Sequence, residues 1–150
     1  MTFDRLIKEN LVKKQTPDFN QIVGQLKRAL KDLKTAKSVL EEDPTWTFTI
    51  SYHAMLRAGR ALMFSKGYLP TESQSHKTIV EFTRDILGSD FANVVSRFDR
   101  MRRQRHNFIY DSQNHITISE AKAAIETAEK LVEKIIGLVK KENPQKELFD

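Results

Sequence analysis

The sequence of 150 residues contains no cysteine, which excludes disulfides, thiolate metal sites and cysteine nucleophiles. It also lacks an apolar run of roughly 18 residues, the length that a membrane-spanning helix needs. The first ten residues carry charges of both signs and have no apolar stretch typical of a secretory signal. We therefore expect a cytoplasmic protein with no membrane contact.

Several motifs that carry chemistry are missing as well. The five glycines are scattered singly, so no glycine-rich phosphate loop occurs, and the GxSxG motif of serine hydrolases is absent. The histidines stand in four different contexts, without a carboxylate at ligand spacing. They are His53, His76, His106 and His115. From these absences we expect no metal site and no cofactor.

Amphipathic helical periodicity is the main pattern that is present. It predicts four long helices and one short one, and no strand pattern appears. The predicted helices cover about residues 17–42, 45–66, 76–87, 91–111 and 117–142. With 39% hydrophobic and 30% charged residues, the chain is predicted to be one all-α domain over 1–150, an antiparallel four- to five-helix bundle. We expect the core bundle at about 17–142, an N-terminal arm at 1–15 and a C-terminal tail at 143–150.

Capping residues mark where the helices should begin. Thr16 is the expected N-cap of the first long helix, with Pro17 at its first position. Ser89 is expected to cap the helix that follows it. Thr117 and Glu120 have the spacing of a capping box at the start of the last helix.

The helix predicted at about 45–66 is apolar on most sides and should lie at the centre of the bundle. Ala54, Ala58 and Ala61, with Gly59 beside them, form a strip of small residues that would let another helix approach closely. Gly67 is a suitable left-handed end for this helix.

The helix predicted at 91–111 carries two arginines on its apolar face. Arg102 follows Phe98 by four residues, and Arg105 follows Met101 by four, so both share the face of these core residues. An arginine cannot shed its charge, and burying it unpaired costs several kcal/mol. Each must therefore meet a carboxylate, a set of carbonyls, a partner subunit or an anionic ligand.

The net charge of +5 is concentrated on this same helix. Residues 97–106 contain five arginines against Asp99 alone, a local formal charge of +4. Such a cluster favours phosphates as partners. The alternative is a solvated helix face that is neutralised by acids such as Asp99 or Glu81.

A stripe of residues at helical spacing could hold a phosphodiester. Arg102, Arg105, His106 and Ile109 stand at i, i+3, i+4 and i+7. On such a stripe, guanidiniums fork onto phosphate oxygens while a histidine, or a tyrosine such as Tyr110, moves a proton. Alternatively the arginines pair with acids of a neighbouring helix or of a twin subunit, and His106 only lines the helix edge.

Two segments, SYHAMLRAGRALMFSKGY and RMRRQRHNFIYD, resemble the HEPN domain when taken in this order. The resemblance covers about residues 17–140. It implies a nucleotide-associated helical bundle that forms homodimers, often beside a minimal nucleotidyltransferase partner in toxin–antitoxin or defence systems. Many members are metal-independent ribonucleases, with an arginine followed after four to six residues by a histidine and the two motifs joined at the dimer interface. Other members end the motif in a tyrosine.

Matching RQRHNFIYD to the family places its arginine on Arg105 and puts Tyr110 where active members have histidine. The literal alternative pairs Arg100 with His106, but six helical steps leave these side chains about 120° apart. Tyrosine, with a pKa of about 10, is a weak base at pH 7. The resemblance therefore gives Arg105, Tyr110 and His106 as candidate catalytic residues, and Arg102, Arg105 and Arg100 as candidate phosphate-binding residues.

Three interpretations remain open at this level. The leading one is a homodimeric module that binds RNA or a nucleotide phosphate, together with a nucleotidyltransferase-type partner. The second is a metal-independent endoribonuclease toxin in which His106 replaces the usual histidine. The third is a structural adaptor that binds no nucleic acid.

Overall fold

The chain folds as a bundle of helices, which confirms the predicted all-α class. The computed structural model describes residues 2–110 and 115–142, without the side chains of residues 2, 106 and 108–110. Its elements are α1 (Thr2–Lys8), β1 (Val12–Lys14), α2 (Phe19–Ser38), α3 (Pro44–Ser65), β2 (Tyr68–Pro70), α4 (Ser75–Leu87), a 3-10 turn (Ser89–Phe91), α5 (Ala92–Tyr110) and α6 (Ile118–Glu142). Across these ranges, no helix combines the length and apolar character needed to cross a membrane.

Helix α3 is the centre of the bundle, as its apolar sequence predicts, and α2, α4, α5 and α6 all pack against it. The strip of small residues lies in this contact, since Ala54 and Ala58 are completely buried. Gly59 faces α4 so closely that a Cβ there would lie 2.5 Å from Cγ2 of Ile79. The helix is followed by Gly67 in the left-handed region, with φ of 89°, where glycine is favoured.

Two predicted helix starts are wrong, and one is confirmed. Helix α2 is capped by Asp18 instead of Thr16, because the Asp18 carboxylate accepts hydrogen bonds from the amides of residues 20 and 21. Ser89 opens the 3-10 turn, and α5 begins only at Ala92. The capping box at Thr117 is present, since its hydroxyl accepts from the Glu120 amide at 3.1 Å.

A two-stranded antiparallel sheet is present where no strand was predicted. Val12 pairs with Pro70, and Lys14 pairs with Tyr68. Each strand has three residues, which is too short to show an alternating pattern, and their pairing depends on distant parts of the chain. The segment expected as an N-terminal arm also contributes to the core, because Leu6 is fully buried.

Candidate functional site

Tyr52 is a buried polar side chain in the middle of α3. A phenolic hydroxyl in such a position needs a hydrogen-bond partner. It finds one in the second residue of α4, because the Tyr52 oxygen lies 3.0 Å from Nδ1 of His76. Burial raises the pKa of Tyr52 to about 12, although the nearby charges of Arg105 and Arg102 oppose that shift.

Arg105 reaches the same point from α5. Its Nη1 lies 2.9 Å from Nδ1 of His76, and its Cζ lies 5.8 Å from the centre of the Tyr52 ring. Three helices, α3, α4 and α5, therefore place a phenol, an imidazole and a guanidinium in mutual contact. We call these three residues the Tyr52–His76–Arg105 triangle.

The contact with Arg105 fixes the chemical state of His76. A guanidinium only donates hydrogen bonds, so Nδ1 must accept, and the hydrogen of the neutral ring is then on Nε2. Burial, together with the positive charge of Arg105, lowers the pKa of His76 below its ordinary value of 6.5. At neutral pH, His76 is an uncharged acceptor for Arg105.

His53 lies beside the triangle on the outer side of α3. Its ring is edge-on to that of Tyr52, with 5.8 Å between the ring centres, and its side chain is exposed. Partial loss of solvent and then the charges of Arg105 and Arg57 lower the pKa of His53. A second neutral imidazole therefore stands at the rim of the cluster.

The two arginines of the predicted stripe have different partners. Nε of Arg102 lies 2.9 Å from Oδ1 of Asp99, and both side chains are 24% exposed. Arg105 is also half-buried, yet no carboxylate within the described ranges forms an ion pair with it. The charge of Arg102 is thus offset locally, whereas Arg105 has no carboxylate partner in the part of the chain that the structure describes.

The remaining predicted residues do not join this cluster in the described part of the chain. Arg100 lies on another side of α5, where it lines a cavity of about 450 Å³ between α5 and α6. The side chains of His106 and Tyr110 lie outside the described residues. Glu81, which was considered as an acid that neutralises the arginines of α5, pairs with Arg5 instead.

Sequence reasoning missed Tyr52, His53 and His76 as members of the site. The histidines lie far apart in the sequence: 23 positions separate His53 from His76, and 30 separate His76 from His106. Nothing local therefore connected them. One signal was available: Tyr52 lies in a largely apolar helix, where a buried hydroxyl needs a hydrogen-bond partner. His53 is exposed and gave no such signal.

A comparison with protein-family models matches residues 24–141 to the HEPN domain. The chain belongs to the HEPN domain family. The match covers α3, α4 and α5, and so includes the whole Tyr52–His76–Arg105 triangle. Comparisons with curated proteins and with solved structures gave no significant match. Membership of the HEPN family supports a nucleotide- or RNA-related module in general.

Proposed function

We propose that this HEPN domain binds a phosphate group of RNA or of a nucleotide at Arg105. The observation that carries this proposal is the half-buried guanidinium of Arg105, which contacts the neutral groups of His76 and Tyr52 and has no carboxylate partner in the described ranges. A guanidinium in this state retains its full charge and most of its N–H donors. Phosphate oxygens match those donors in charge and geometry.

The surroundings of Arg105 favour an anion further. Arg102 lies one helical turn away and adds a second guanidinium, although Asp99 offsets its charge. Burial first, and then the positive charges of Arg105 and other arginines, lower the pKa values of His76 and His53. The second cause reflects a positive potential at the site, and a bound anion would raise both pKa values by offsetting it.

The same proposal includes the assembly that the family resemblance implies. The protein acts as a cytoplasmic homodimer, and a nucleotidyltransferase-type protein is its partner in a toxin–antitoxin or defence setting. Arg102 supplies a further phosphate contact beside Arg105. Arg100, which lines the cavity between α5 and α6, contacts another phosphate of the bound RNA. Tyr110 and His106 stay candidate catalytic residues.

A binding titration with two matched arginine variants tests the phosphate site. Arg105→Gln should weaken the affinity for a labelled single-stranded RNA or a nucleotide by about 1.5 to 3 kcal/mol, because a charge-assisted hydrogen bond is lost. Arg103→Gln removes the same charge from a side chain that is 64% exposed, and its nearest carboxylate oxygen is 3.7 Å away. This control should cost much less.

Titrations at two salt concentrations separate a specific site from diffuse charge. Contacts through diffuse charge fade steeply with salt and treat both variants alike, so equal losses would contradict a site at Arg105. If the parent protein binds neither RNA nor nucleotide, the structural adaptor becomes the better interpretation. Melting curves of both variants should show that they remain folded.

A second candidate function, metal-independent RNA cleavage, is favoured by the neutral imidazole of His53 at the rim of the site. In that reaction, His53 takes the proton of a ribose 2′-hydroxyl, whose oxygen attacks the adjacent phosphorus. The 5′-oxygen leaves with a proton from water, which gives a cyclic phosphate and a 5′-hydroxyl end. Arg105 stabilises the charge that develops on the phosphate.

Incubation with RNA in EDTA tests this candidate. The parent should produce cyclic-phosphate ends, and both His53→Gln and Arg105→Gln should lose that activity. Cleavage that persists in Arg105→Gln would assign the activity to a contaminant or to another site.

A further inference from the structure

Arg102 and Arg105 lie three residues apart on one helix, yet the protein holds them with groups of different charge. Arg102 is bound by the carboxylate of Asp99. Arg105 contacts the imidazole of His76 by a hydrogen bond and lies over the ring of Tyr52, and both groups are uncharged at neutral pH. Arg102 thus has a charged hydrogen-bond acceptor, whereas Arg105 has a neutral one. This difference suits a function in which Arg105 keeps its charge.

We propose that His76 is a positioning residue, whose neutral imidazole, backed by Tyr52, orients the Arg105 guanidinium toward a phosphate without neutralising it. This inference rests on the phosphate-binding function proposed above. It adds a role for Tyr52 on α3 and His76 on α4, which both lie outside α5.

The physical argument concerns what each kind of acceptor leaves available. A carboxylate would fix the guanidinium but would also cancel its charge and occupy a pair of its donors. The Nδ1 lone pair of His76 accepts from Arg105 at 2.9 Å and from the Tyr52 hydroxyl at 3.0 Å, and it adds no charge. The remaining N–H donors of Arg105, and its whole charge, stay available to an anion.

The fold holds this imidazole in place from two sides. The Tyr52 hydroxyl lies 3.0 Å from Nδ1 of His76, and the Arg105 guanidinium lies over the Tyr52 ring, with 5.8 Å between Cζ and the ring centre. Helix α4 is itself fixed on α3, because Gly59 allows close contact with Ile79 and Thr83. His76 therefore has little freedom to leave Arg105, as expected for a preorganised binding group.

Two substitutions at His76 distinguish positioning from simple packing. His76→Leu fills space but removes the acceptor, and it should weaken RNA binding about tenfold, as expected when one hydrogen bond to a charged group is lost. His76→Asn offers a carbonyl oxygen near the place of Nδ1 and should restore most of the affinity. A residue with only a packing role would show the reverse order, because leucine packs better than asparagine in a half-buried position.

Coupling between His76 and Arg105 gives a second test. If His76 acts through Arg105, the double variant His76→Leu/Arg105→Gln should bind no worse than Arg105→Gln alone. Additive losses would overturn the positioning role while leaving the phosphate site intact. If Arg105→Gln itself binds like the parent, the phosphate site proposed above fails instead, so the two failures are distinguishable.

A measurement on the unaltered protein covers the case in which His76→Leu does not fold. Nitrogen-15 NMR of the histidine rings reports which ring nitrogen carries the hydrogen. The proposal requires that His76 be neutral at pH 7, with Nδ1 bare and Nε2 protonated. A hydrogen on Nδ1 is incompatible with the contact to Arg105 and would overturn the proposal.

Discussion

His76 links the candidate site to the stability of the fold at acid pH. Its pKa in the folded protein is lowered by burial and by the charges of Arg105, His53 and Arg102, whereas the unfolded chain has the ordinary value of 6.5. Below pH 6.5 the unfolded state therefore binds more protons than the folded state. The stabilisation is present above pH 6.5 and is lost as the pH falls.

We therefore expect the free energy of unfolding to decrease when the pH is lowered from about 7 to about 5. Urea denaturation at a series of pH values measures this dependence, and His76→Asn should flatten it. The groups that face His76 are Tyr52 and His53 on α3 and Arg105 on α5, and His53 adds a dependence of the same sign. His115→Asn, at an exposed position, is the control. A slope that is the same in parent and His76→Asn would contradict the neutral state assigned to His76.

At this scale, the sequence predicted only the half of the site that lies on one helix. The spacing of Arg102 and Arg105 from Phe98 and Met101 placed both arginines on the buried face of α5 because helical geometry is local. The contact between Tyr52 and His76 joins residues 24 positions apart, and that between His76 and Arg105 joins residues 29 positions apart. Such contacts depend on how helices pack, which periodicity does not specify.

At the scale of elements, the contact between α3 and α4 decides where His76 lies. A Cβ on Gly59 would lie 2.5 Å from Cγ2 of Ile79 and 3.0 Å from Oγ1 of Thr83, and both side chains are buried. Gly59→Ala should therefore force α4 away from α3 and lower the free energy of unfolding by about 1 to 3 kcal/mol. Chemical denaturation measures this loss, and RNA titration should show weaker binding because His76 moves with α4.

Gly24→Ala is the matched control for that substitution. Gly24 is an exposed residue within α2, and no neighbouring atom lies within 4 Å of a Cβ built there. Alanine should stabilise this position by up to about 1 kcal/mol, since glycine is unfavourable inside a helix. Equal stabilities of the two variants would mean that α3 and α4 are not in close contact at Gly59.

Elements could be predicted from the sequence where their signals are local. The small residues around Gly59 predicted a close helix contact, and the structure places α4 against Gly59 itself. The start of α2 was misplaced by two residues because Thr16 and Asp18 are both good N-caps, and Pro17 is compatible with either choice. The strand pair β1–β2 was missed because neither strand has a pattern of its own.

At the scale of the whole molecule, the candidate site is a product of the bundle. The central helix α3 supplies Tyr52 and His53, α4 supplies His76, and α5 supplies the arginines. Each helix alone would expose these groups to water, where neither the raised pKa of Tyr52 nor the neutral state of His76 would persist. The family match over residues 24–141 covers all three helices. The fold class and the family could be predicted from helical periodicity and from two sequence segments, whereas the members of the site depend on how three helices pack.

The surface beside the site suggests how two copies would meet. Two large apolar side chains are exposed here, Trp46 at 53% and Ile118 at 43%. They lie at one end of the bundle, because the amide of Ile116 donates to the Thr45 hydroxyl at 3.2 Å. Trp46 and His53 share the outer side of α3, seven residues and therefore about 10 Å apart along its axis. An interface over Trp46 would bring a second subunit close to the site.

We predict a homodimer whose interface includes Trp46, so light scattering at micromolar concentration should give twice the chain mass of 17.4 kDa. Trp46→Ser should shift the protein toward the monomer, because it removes a large apolar side chain from the contact. Leu30→Ser is the control, since Leu30 is 43% exposed but lies on α2, and it should leave the dimer intact. Loss of the dimer in Leu30→Ser alone would move the interface to α2, and a parent protein that remains monomeric would contradict the dimer itself. Because the proposed interface runs beside His53, monomeric Trp46→Ser should also bind RNA more weakly than Leu30→Ser under the same conditions.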